Sequence, residues 1–106
     1  MTDIAGTKIS VCPAAELPPG GMRLVEHDGV KIGVFNCDGT YYAIEDRCSH
    51  DDGPLCEGDR DGLTVECPRH GATFDLRTGD ALSLPATVGV ETFPVTLRDG
   101  EILIET

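Results

Sequence analysis

Two short segments hold the side chains best suited to chemistry: Cys48-Ser49-His50 and Cys67-Pro68-Arg69-His70. Each places one thiolate donor ahead of one imidazole. Sixteen residues lie between His50 and Cys67, and both segments sit in turn-rich text where side chains can converge. Two such loops facing each other offer two thiolates and two imidazoles to a shared centre. A tetrahedral zinc accepts that set. Zinc modules, however, usually pair Cys with Cys in one knuckle and His with His beyond it, whereas each loop here mixes the two types. The other fit is a binuclear iron centre to which each loop gives one ligand per metal. The residue types alone leave both open.

The order Cys-x-His, a spacer, then Cys-x₂-His resembles the signature of Rieske [2Fe–2S] proteins, where two His replace two Cys on one iron. The flanking text resembles it as well: Cys48-Ser49-His50-Asp51 in the first loop and Cys67-Pro68-Arg69-His70-Gly71 in the second. Phe74-Asp75, the turn at Arg77-Thr78-Gly79 and Leu84-Pro85-Ala86 extend the match to about half the chain. The resemblance implies one cluster per chain, with Cys48 and Cys67 on the inner iron and His50 and His70 on an outer iron near the surface. It implies an all-β Rieske fold: a β-sandwich or barrel base with a small rubredoxin-like cluster-binding subdomain inserted. On that reading residues 1–106 are a single Rieske domain, the base being 1–45 and 86–106 and the subdomain about 46–85. The segment around Pro85 would cover the cluster.

Departures from the family pattern carry information. The respiratory members have a further cysteine in each loop, joined as a disulfide; Gly53 and Arg69 stand at those positions here. Cys56 lies three residues past the first of them and reads as a free thiol, with metal coordination the lesser alternative. Respiratory members also place a Ser and a Tyr after the second loop, both donating hydrogen bonds toward the cluster or its thiolate ligand. Ala72 and Phe74 replace them and cannot donate. Such bonds stabilise added electron density, so their loss lowers the potential. Residues 45–61 hold seven Asp or Glu against two Arg, which acts in the same direction. The expected potential lies at the low end of the Rieske range.

The elements that must position these loops read as strands. Val30, Ile32 and Val34 alternate with Lys31, Gly33 and Phe35. Four Asp-Gly pairs, at 28–29, 38–39, 61–62 and 99–100, punctuate such runs and signal tight hairpin turns. Hairpins are expected between 22–27 and 30–36, between 30–36 and 40–45, and between 92–97 and 101–105. A further strand is expected near 7–12, one helical turn at 14–17, and short strands at 63–66 and 72–75. His27 reads as a surface turn residue. Cys12 and Cys37 read as small apolar side chains at strand ends. Gly71 reads equally as a turn glycine or as a point of close backbone approach to the cluster.

The chain has 106 residues, 40% of them apolar, with 19 acidic against 8 basic side chains and a net charge of −11. This surface repels nucleic acid and anionic membranes and favours a basic docking patch on a protein partner. Residues 1–6 lack the basic and apolar regions of a signal peptide, and no apolar run approaches the ~18 residues of a membrane span. Five cysteines, an odd number, argue against a disulfide framework and for a reducing, cytoplasmic setting. No Gly-x-Gly-x-x-Gly fingerprint is present, and no room remains for the mononuclear-iron domain of an oxygenase. The expectation is a one-electron carrier and not an enzyme, taking electrons from a flavin-dependent reductase and passing them to a terminal oxygenase or similar acceptor. The alternatives are an accessory subunit of the nitrite-reductase or iron–sulfur-assembly kind, and a zinc-bound structural domain.

Overall fold

Three of the four Asp-Gly pairs form hairpin turns with both residues at positive φ: Asp28 (51°) and Gly29 (81°), Asp38 (54°) and Gly39 (93°), Asp99 (53°) and Gly100 (77°). That geometry twists in the same sense as paired strands, which is why it closes two-residue hairpins. The fourth pair differs. Gly62 takes φ 63° as the first residue of a Gly62-Leu63 turn, with Asp61 still paired in its strand. The turn closes a small hairpin that the alternation pattern does not announce.

The computed structural model describes residues 8–48, 53–69 and 71–106. Ten strands follow in order: β1 (Lys8–Pro13), β2 (Met22–His27), β3 (Val30–Cys37), β4 (Thr40–Glu45), β5 (Arg60–Asp61), β6 (Thr64–Glu66), β7 (Thr73–Asp75), β8 (Thr92–Phe93), β9 (Val95–Arg98) and β10 (Glu101–Glu105). A 3₁₀ turn, Ala14–Glu16, follows β1. The strands form three antiparallel sheets, ordered β1-β10-β9, β2-β3-β4-β8 and β5-β6-β7. No helix among the described residues is long and apolar enough to cross a membrane. Residues 1–6, on which the signal-peptide expectation rests, lie outside the described residues.

One expectation needs correction. The run 92–97 is not one strand. Thr92 and Phe93 pair with Ile44 and Ala43, whereas Val95–Arg98 pairs with β10. Pro94 has no N–H to extend a ladder, so the chain changes sheets there.

The four-stranded sheet is the middle layer, apolar on both faces. Ile32, Val34 and Ala43 face a core completed by Cys12, Leu17, Ile102 and Ile104. Their neighbours Phe35 and Ile44 point the other way, into a second core with Cys48, Leu55, Cys56, Val65, Cys67, Ala72, Phe74 and Leu76. Period-two alternation puts successive side chains on opposite faces. Strand β3 is therefore buried on both faces over its centre, because it supplies both cores.

Candidate metal centre

The second core is where the two cysteine-bearing loops meet. Cys48 and Cys67 are fully buried in it, together with Ala72 and Phe74. Cys48 lies three residues past the end of β4, and Cys67 follows directly on β6. Each loop closes in the same way. The Cys48 N–H donates to Gly53 O at 2.7 Å, and the Cys67 N–H donates to Ala72 O at 2.7 Å. Both bonds join residues five apart in sequence, so the two cysteines are matched in how their loops are closed. The Gly71 N–H returns to Cys67 O at 3.0 Å. Gly71 takes φ 78°, and a Cβ there would meet only Glu66 Oε2 at 3.5 Å.

His50 and His70, the other two expected ligands, lie outside the described residues, as do Ser49 and Asp51. Among the described residues no group of three or more His, Cys, Asp or Glu converges as a metal site. The two sulfur donors that are described fit a cluster. They are buried in one apolar core, and none of the five cysteines forms a disulfide. Thiolates shielded from water in matched loops are the donor set an iron–sulfur centre uses.

Cys56 stands apart from that pair. It packs against β3, where a Cβ on Gly33 would fall 2.4 Å from its Sγ. Burial, with the Asp46 carboxylate beside it, pushes the thiol well above the usual range. Such a thiol stays protonated, in keeping with the free-thiol reading. Cys12 is buried in the other core, and Cys37 is half-buried. Burial raises both thiols, which suits small apolar side chains. His27 sits at a surface turn, 3.3 Å from Asp28.

Several supporting residues leave no local signature. Asp46, the residue after β4, accepts the N–H groups of Leu55 (2.9 Å) and Cys56 (2.7 Å) on one carboxylate oxygen. Gly58 passes so close to β6 that a Cβ would lie 1.7 Å from Glu66 O. Arg60 bonds Gly20 O and lies 5.2 Å over the Phe35 ring, fastening β5 to the middle sheet. Gly33 carried a partial signal, since glycine inside a strand marks close approach of another group without saying which.

Beyond the second loop the chain is strapped down. The Thr73 N–H donates to Ser83 Oγ (3.0 Å), the two hydroxyls meet at 2.9 Å, and the Leu82 N–H donates to Thr73 O at 2.7 Å. This sets Leu82, Leu84 and Val88 in an exposed apolar segment beside the second loop. Pro85 within it is half-buried, and Ala86 enters the core that holds both cysteines.

Comparison with known proteins gives a consistent picture. The Rieske [2Fe-2S] domain family matches residues 7–94. The 3-phenylpropionate/cinnamic acid dioxygenase ferredoxin subunit of Photorhabdus laumondii is 48% identical over 99 residues, covering 92% of this chain and 93% of its own. The ferredoxin of carbazole 1,9a-dioxygenase from Nocardioides aromaticivorans superposes with a TM-score of 0.88 at 33% identity, covering 93% of this chain and 97% of that one. A chain from the complex of reduced oxygenase and oxidized ferredoxin in carbazole 1,9a-dioxygenase gives a TM-score of 0.88 at 36% identity, with 92% of each chain covered.

Proposed function

Because the chain belongs to the Rieske [2Fe–2S] domain family, we propose that it is the ferredoxin component of an aromatic-ring dioxygenase system, carrying single electrons to a terminal oxygenase. It carries one [2Fe–2S] cluster, which when bound supplies a reversible one-electron couple. The observation that carries the proposal is the pair of buried cysteines in matched loops, Cys48 and Cys67, in a chain 48% identical to a dioxygenase ferredoxin subunit. Cys48, His50, Cys67 and His70 are the ligands in this reading. Residues 46–85 form the cluster-binding unit, and 1–45 with 86–106 form the base.

The protein's own part is to hold and insulate. The apolar core around Cys48 and Cys67 keeps water from the thiolates. Ala72 and Phe74 give them no side-chain donor, which sets a low potential. The relatives are ferredoxin subunits, carriers and not catalysts. Their names favour this role over an accessory subunit of another complex, and the family match disfavours a zinc domain. Electrons arrive from a flavin-dependent reductase, and the acidic surface docks on basic patches of both partners. Five cysteines outside any disulfide suit the cytoplasm.

Metal and sulfide analysis of the purified protein tests the reading. About two irons and two acid-labile sulfides per chain are expected, with the low-average-g EPR signal of mixed Cys/His ligation on reduction. A colourless protein holding only zinc overturns it. Loss of the cluster on Cys48→Ala and on His70→Ala, but not on Cys56→Ala, assigns the ligands.

A further inference from the structure

We propose that Asp46 is a positioning residue that fixes the first ligand loop on the middle sheet; the role rests on the cluster reading above. Its backbone N–H donates to Lys31 O of β3 at 2.7 Å. Its Oδ1 accepts the N–H groups of Leu55 at 2.9 Å and Cys56 at 2.7 Å. One side chain thus gathers the far end of the segment 46–56 back to its start. Inside that clamp the Cys48 N–H closes on Gly53 O at 2.7 Å.

The clamp has a floor and a cost if opened. Leu55 and Cys56 are buried and Asp46 is half-buried over them, so their N–H groups depend on its carboxylate as acceptor. Removing their acceptor leaves two buried donors unsatisfied. Gly33 provides the floor, since its missing Cβ makes the space the Cys56 sulfur occupies. The segment can relieve the two stranded donors only by lifting from β3, and Cys48 lies within the part that lifts. An acceptor oxygen at the right reach is what the role demands, so asparagine can serve.

The holoproteins of wild type, Asp46→Asn and Asp46→Ala are challenged with an iron chelator while the cluster's visible absorption is followed. EPR g-values and backbone hydrogen exchange in β1 and β10 are recorded alongside. Asp46→Asn is expected to lose iron within about twofold of the wild-type rate, and Asp46→Ala at least about tenfold faster. The alanine variant should also show shifted g-values, with exchange in β1 and β10 unchanged. Wild-type iron retention by Asp46→Ala overturns the role. So does faster loss accompanied by unchanged g-values and raised exchange in β1 and β10, which marks a general fold contribution. If Asp46→Ala does not accumulate folded, Asp46→Ser replaces it. Its oxygen is too short to reach both amides, and a rate equal to that of Asp46→Asn overturns the proposal. Wild-type protein without iron overturns the cluster reading and this role together, whereas iron-loaded wild type beside an iron-tight Asp46→Ala overturns this role alone.

Discussion

Ala72 and Phe74 are buried in the core that holds Cys48 and Cys67, and neither offers a hydrogen-bond donor. A donor aimed at a thiolate or sulfide favours the reduced state, which carries one more negative charge. A net hydrogen bond contributes ~0.5–1.5 kcal/mol, and a one-electron couple moves ~59 mV per tenfold change in equilibrium constant. Ala72→Ser and Phe74→Tyr are each expected to raise the potential by about 20–65 mV on that arithmetic. Protein-film voltammetry checks the sign, and a fall in either variant contradicts the low-potential argument. Gly33 is a second site where one carbon decides. A methyl there would sit 2.4 Å from Cys56 Sγ and 2.7 Å from its Cβ. Both atoms are held in a packed core, so Gly33→Ala is expected to cost ~1–3 kcal/mol of stability. Denaturant midpoints of wild type and variant measure it, and a variant as stable as wild type contradicts the close packing.

At the scale of elements, the turn after β7 is organised by an ion pair. The Asp75 carboxylate accepts the Arg77 backbone N–H at 2.8 Å and meets its guanidinium at 3.0 Å. The Arg77 side chain holds the Asp75 carboxyl below the usual carboxylate range, outweighing the opposing effect of burial. A folded-state value below the unfolded one makes the contribution complete above the ordinary carboxylate pKa of ~3.9. It is lost as pH falls through that value toward the depressed one. The melting temperature of wild type should therefore exceed that of Asp75→Asn at neutral pH, and the gap should close below about pH 4. Acid loss of the cluster affects both proteins, so the difference is the readout; a gap that persists in acid refutes the pairing. The hairpins were legible in the sequence because their information is local. An Asp-Gly pair between alternating runs fixes its own turn. The two cysteines of the site were legible for the same reason, as short motifs in turn-rich text, and the fold brings both into one core. Their histidine partners lie outside the described residues and remain part of the proposal. What was not legible depends on distant partners. Asp46 serves Leu55 and Cys56, Gly33 serves Cys56, and Arg60 reaches back to Gly20. The split of the 92–97 run turned on Pro94, whose missing donor was visible but whose change of sheet required the whole topology.

At the scale of the whole molecule, the dominant property is charge. With 19 acidic and 8 basic side chains, the field of the protein is negative at neutral pH. Opposite fields raise encounter rates and leave the bound contacts less affected. Screening separates the two contributions. The Debye length falls from ~10 Å at 0.1 M salt to ~3 Å at 1 M, so steering fades while short-range apolar packing persists. The second-order rate of electron transfer from the reduced protein to the terminal oxygenase proposed as its acceptor should drop about tenfold or more across that range. The limiting rate within the preformed complex should change far less, because it depends on distance and driving force inside the contact. Stopped-flow mixing at several partner concentrations yields both constants. A second-order rate that stays flat with salt, or rises, would mean that the partner presents no basic surface and that the net charge of −11 serves solubility alone.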